Sequence, residues 1–97
     1  MLDFYLIPDD EPRPNNPTKL ICAGGLDDRT FDNLQQKGII GDRFDYYSNF
    51  RWDIQLIKQI RQTIRKKKME RDRDVQVLIT ILAKAEELKS GLVAYGD

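Results

Sequence analysis

Ninety-seven residues, 40% hydrophobic and 33% charged, supply one modest core, so a single compact domain over 1–97 is expected. Sixteen basic and sixteen acidic residues cancel, histidine is absent, and the one cysteine, Cys22, has no mate for an internal disulfide. Zinc sites and catalytic triads thereby lose their usual residues, and the lack of both a bilayer-length apolar run and a basic signal-peptide front points to the cytoplasm.

The balance of charge is uneven along the chain. Residues 1–50 carry nine acids and five bases, whereas residues 51–97 carry seven acids and eleven bases. Two such halves either attract each other in the fold or offer different faces to partners.

Leu2 to Ile7, LDFYLI, is short, apolar and aromatic and stops at Pro8, which predicts an opening strand. The following PDDEPRPNNP holds four prolines in ten residues, so it forms neither helix nor ladder. It reads as an exposed, stiffened loop whose acidic tip, Asp9, Asp10 and Glu11, is either ordinary solvated charge or a partner contact. Leu20 to Ala23 is a second extended candidate, and Gly24-Gly25 reads as a strand-to-helix turn, since it lacks the spacing of a phosphate-binding loop. Cys22, in an apolar segment, is expected to be a small buried hydrophobe.

Asp27 or Asp28 caps a predicted helix through Lys37, with Leu26, Phe31 and Leu34 on one face and Gly38 as its stop. Asp27, Asp28 and Asp32 invite a hard-cation reading, but further oxygen ligands are not identifiable, and capping plus a solvated face accounts for them. No metal or cofactor is assigned.

Five of nine aromatics fall within Phe44 to Trp52, FDYYSNFRW. Some of these rings must anchor the core, and Tyr46, Tyr47 and Arg51 are candidates to meet a partner, with Asp42 and Asp45 beside them. Ser48 or Asn49 is expected to cap the next helix, placing Trp52 in its first turn. Ile54, Leu56, Ile57, Ile60 and Ile64 recur at three and four, which predicts an amphipathic helix over 51–68. Its end carries the one basic cluster, Arg65, Lys66, Lys67 and Lys68; cations are favoured there by the helix dipole, and with Arg61 they offer an alternative nucleic-acid contact.

Asp74 to Leu88, DVQVLITILAKAEEL, is β-branched enough to make a strand. Helix is preferred because Gln76, Thr80 and Lys84 form one polar stripe four residues apart, Asp72 or Asp74 can cap the start, and Gly91 can end it near 89. A helix so apolar needs cover on several sides, from an antiparallel partner helix and the rest of the chain or from a homodimer. The closing GLVAYGD is too apolar for a loose tail and is expected to return as a strand beside Leu2–Ile7 or to fold over the core.

With GGLDDRTFDNLQQKGII and FDYYSNFRW in view, the chain resembles, in size and texture, the small stand-alone bacterial proteins among which immunity proteins of polymorphic toxin systems are common. That resemblance implies a protein that blocks a toxin by covering its active surface. The expected fold is α+β, mainly helical, with helices near 27–37, 51–68 and 74–89 and short N-terminal extended segments. The expected function is non-enzymatic protein binding through Asp9, Asp10, Glu11, Asp42, Asp45, Tyr46, Tyr47 and Arg51; the alternative is a nucleic-acid-associated regulator using the cluster at 61–68.

Overall fold

Alternation in LDFYLI sends Leu2, Phe4 and Leu6 to one side of a strand, β1 (Leu2–Ile7), and Asp3, Tyr5 and Ile7 to the other. In the computed structural model, which describes residues 1–96 and so omits Asp97 of the closing segment, this strand lies inside the sheet. The remaining elements are β2 (Ile21–Leu26), α1 (Asp28–Gln36), β3 (Phe50–Trp52), α2 (Ile54–Lys66), α3 (Arg73–Glu87) and β4 (Gly91–Tyr95). The sheet is antiparallel in the order β2-β1-β4-β3. The α+β architecture is as expected, but "mainly helical" is corrected: extended structure is not confined to the N-terminus, because β3 and β4 complete a four-stranded layer.

The helices cover one face of that layer. Paired residues share a face in an antiparallel sheet, so Leu2, Phe4 and Leu6 join Leu92, Ala94 and Trp52 beneath them. From above come Phe31 and Leu34 of α1, Ile57, Ile60 and Ile64 of α2, and Val75, Leu78, Ile81, Leu82 and Ala85 of α3. The expected Asp72 cap is present, its carboxylate accepting from Asp74 N and Val75 N. Cover of α3 is incomplete: Val77 is 41% exposed.

Several local expectations change. Gly24-Gly25 is no turn: both lie in β2, where the register slips by one residue opposite Phe4 and Tyr5. Gly24 has φ 139°, and a Cβ there would stand 2.9 Å from Ile81 Cγ1, so glycine lets α3 close onto the strand. Cys22 is exposed, not buried, because β2 is an edge strand and Cys22 pairs with Tyr5 on the face turned from the helices. The second long helix starts at Ile54 and not at 51, capped by Asp53, whose carboxylate accepts from Leu56 N at 2.7 Å. Phe50–Trp52 is a strand because it pairs with Leu92–Ala94. Lys89, at φ 52°, makes the left-handed stop assigned to Gly91, which instead begins β4; Gly38, at φ 74°, does end α1.

Lys37 at the end of α1 binds both Asp72 (2.8 Å) and Asp74 (3.0 Å), and Asn33 Nδ2 donates to Asp74 at 3.1 Å. These contacts fasten α1 to the first turn of α3. The hydrogen bond from the Lys37 ammonium holds the Asp72 carboxyl below its ordinary range, and that carboxylate and Asp74 raise Lys37. No helix is long and apolar enough to cross a membrane among the described residues.

Candidate functional site

Two loops and β3 hold the eight candidate binding residues, and they separate into two groups. The first gathers at the N-terminus of α2. Asp9 accepts from the backbone N–H of Ile54 at 3.1 Å, adding a second carboxylate to the one from Asp53. Arg51, on β3, donates through Nη2 to Pro8 O at 3.0 Å and through Nη1 to Glu11 O. Both side chains are thus engaged in holding the 8–11 turn against the helix start, a positional constraint that residues some forty apart in sequence do not announce. Asp10 and Glu11 stand exposed at the tip.

The second group is the 41–48 segment. Gln35 Nε2 donates to Gly41 O (3.1 Å) and Phe44 O (2.7 Å), pinning the segment to α1. Asp45 accepts from Tyr47 N (3.0 Å) and Ser48 Oγ (3.2 Å), so it closes its own turn, as short acids do. Ser48 and Asn49, expected as helix caps, are used otherwise: Asn49 Oδ1 accepts from Gly96 N at 3.0 Å, tying the turn to the end of β4. Phe44 packs on Phe50 (4.9 Å) and Trp52 (5.9 Å), and Tyr46 on Phe31 (5.7 Å), so these rings extend the core outward. Tyr47 meets Tyr46 edge to face at 5.1 Å and 88° but is itself 62% exposed. The loop therefore presents one ring to solvent on a packed pedestal.

Between the groups runs a shallow groove. A recess of about 340 Å³ separates Asp42 and Phe44 from Leu56, Gln59 and Ile60 of α2, and a second, about 410 Å³, continues past Phe44 to Arg51 and Asp53. Arg43 lies over the Phe44 ring at 4.8 Å on its wall. Asp42 and Arg51 thus share a groove, whereas Tyr46 and Tyr47 stand at the other end of β3, beside Gly96. Arg43 was missed by sequence reasoning; its place beside Phe44 is the one signal that offered it.

The remaining candidates have local roles. Asp27 caps α1, accepting from Thr30 N at 2.7 Å, and that hydrogen bond lowers its pKa. Asp32 accepts from Gln36 Nε2, and Asp28 is exposed in the first turn. No cluster of three His, Cys, Asp or Glu suited to a metal ion occurs among the described residues. In the basic region, Arg61 is paired with Glu86 at 2.7 Å, while Arg65, Lys66, Lys67 and Lys68 finish α2 in solvent. The geometry offers surfaces, grooves and an aromatic projection. No family model matches the chain, and neither a curated protein nor a solved structure matches it.

Proposed function

We propose that this chain is a non-enzymatic protein-binding module, in its most concrete form an immunity-type inhibitor that covers a toxin's active surface. Tyr47 is the anchor. The observation that carries this reading is its combination of 62% exposure with a fixed edge-to-face seat on Tyr46, in a turn closed by Asp45. An aromatic ring already held in place loses little freedom on binding, and such rings dominate interface energetics.

The charges supply direction. Asp10, Glu11 and Asp42 are exposed, and the ion pairs of Lys37 and Arg61 engage Asp72, Asp74 and Glu86, all of them acids of residues 51–97. An acidic surface speeds encounter with a basic cleft of the kind that binds nucleic acid. Against the partner that the full chain captures, reversing Asp10, Glu11 and Asp42 to Lys slows association at least ~10-fold at low salt and changes dissociation little. An unchanged association rate removes these acids from the account. Asp9 is left intact in this test because it caps α2.

A further inference from the structure

The sheet has a second face, turned away from the helices. It carries Tyr5 and Val93, which pair across β1 and β4, with Tyr95 further along β4 and Arg51 opposite Val93 on β3. Val93 is fully buried and Ile7 is 1% exposed, although neither belongs to the core under the helices. What lies against this face is the proline-rich loop between β1 and β2. Tyr95 Oη donates to Pro14 O at 2.6 Å, Arg51 donates to Glu11 O, and the Arg13 guanidinium sits 5.7 Å from the Tyr95 ring centroid. Tyr5 braces Tyr95 edge to face at 5.8 Å.

The conformation of that strap follows from its own residues. Pro12 and Pro14 have φ fixed near −65°, and Glu11 and Arg13 each precede a proline, which drives them out of the helical region. Pro12 to Pro14 is therefore held close to a polyproline II geometry, while Glu11 is a bend that closes the turn from Pro8, its N–H donating to Pro8 O at 3.1 Å. Arg51 takes the carbonyls of Pro8 and Glu11 at the two ends of that turn, and Tyr95 takes that of Pro14. A tyrosine hydroxyl on a carbonyl of a Pro-x-Pro segment, with the cation between the prolines over the same ring, is chemistry by which aromatic-lined surfaces bind proline-rich ligands.

We infer that this second face is a receptor for an extended Pro-x-Pro segment of another protein with a cation between the prolines, and that residues 11–14 occupy it as a tethered stand-in. The contacts go to backbone carbonyls and to an Arg over a ring, so a segment of the same pattern from elsewhere makes the same bonds. Tethering gives the strap an effective concentration on the order of millimolar, so a weak free segment is shut out until the strap is loosened. This inference does not rest on the role proposed for Tyr47.

The test uses the full chain with Glu11–Pro17 replaced residue for residue by Gly and Ser, which keeps Asp9 and Arg51. The probe is a synthetic peptide of residues 9–17, followed by NMR titration of the protein amides. Saturable binding with shifts at Val93 and Tyr95 is expected, weaker by about tenfold or more for the unaltered chain and for a peptide with alanine at both prolines of the Pro-x-Pro. Should the substituted chain not fold, the Pro12→Gly/Pro14→Gly variant, which keeps loop length and every recognising side chain, takes its place with the same expectation. A folded variant with no saturable shift at millimolar peptide, shifts confined to other surfaces, or equal binding of the alanine peptide overturns the inference.

Discussion

The Asp9 carboxylate accepts the backbone N–H of Ile54 at 3.1 Å, so an acid from the first loop caps a helix that begins 45 residues later. Asp53 satisfies Leu56 N at the same terminus, and together they supply two of the four backbone donors that a helix start leaves open. Gly91 makes room for this arrangement: a Cβ there would collide with Asp9 Oδ1 and stand 3.0 Å from Trp52 O.

Asp9→Ala is accordingly expected to cost about 1 kcal/mol in urea unfolding, as loss of a cap does. Asp10→Ala, one residue along and solvent-facing, should stay within about 0.5 kcal/mol. Gly91→Ala should cost more than Asp9→Ala, because it displaces the carboxylate and also crowds two carbonyls.

Lys68 and Lys89 hold φ of 56° and 52°, left-handed values that glycine adopts without the Cβ penalty. Each follows a helix whose last carbonyls are met by Met69 N→Ile64 O and Ser90 N→Ala85 O, the wrapped ending that favours glycine. Lys68→Gly and Lys89→Gly should each stabilise by about 0.5–1 kcal/mol and add in the double variant, since they sit on different helices. Gly38→Ala, at φ 74°, should move thermal midpoints the other way.

What the sequence made legible were the features written within one or two turns of chain. The Asp72 cap, the three-and-four spacing from Ile54 to Ile64 and the apolar return of Leu92 and Val93 all identify themselves locally. β3 did not, because three residues become a strand only through pairing with Leu92–Ala94, some forty residues away. Asp53 was nonetheless readable as the cap, since it directly precedes the first apolar residue of the helical pattern. For the site, Tyr47 and the acids were nameable from composition, but Asp9 and Arg51 look like free surface groups until the fold shows them holding one loop to one helix.

The Lys37–Asp72–Asp74 junction makes stability depend on acid. Asp72 titrates below its unfolded value, so its contribution is fully present above about pH 4 and is lost as pH falls through the lowered folded pKa. Lys37 titrates above its ordinary value, so its contribution holds below that value and fades only as pH rises through the raised pKa. Lys37→Gln should therefore raise the Asp72 pKa, read directly by carboxyl NMR, and flatten the acid limb of the stability–pH curve. An unmoved Asp72 titration would contradict the assigned cause.

Trp52 is 1% exposed and its indole N–H has no acceptor among the described residues. Its ring packs at 4.9 Å from Phe4 and 5.7 Å from Phe50. Trp52→Ala should cost about 3–5 kcal/mol by opening the aromatic cluster. Trp52→Phe should cost less than half as much, because it keeps a ring in that cluster and removes a buried donor that lacks a partner.

The central claim is that a protein partner docks on the exposed ring of Tyr47. A tagged full chain and its Tyr47→Ala variant, matched for circular dichroism and melting temperature, should be used to capture partners from native cells with and without nuclease treatment. The account predicts one protein in near-stoichiometric amount from the unaltered chain, unaffected by nuclease and reduced at least ~30-fold in affinity by Tyr47→Ala, as for a hot-spot residue losing about 2 kcal/mol or more. Undiminished capture by Tyr47→Ala, or material that disappears with nuclease, would contradict it.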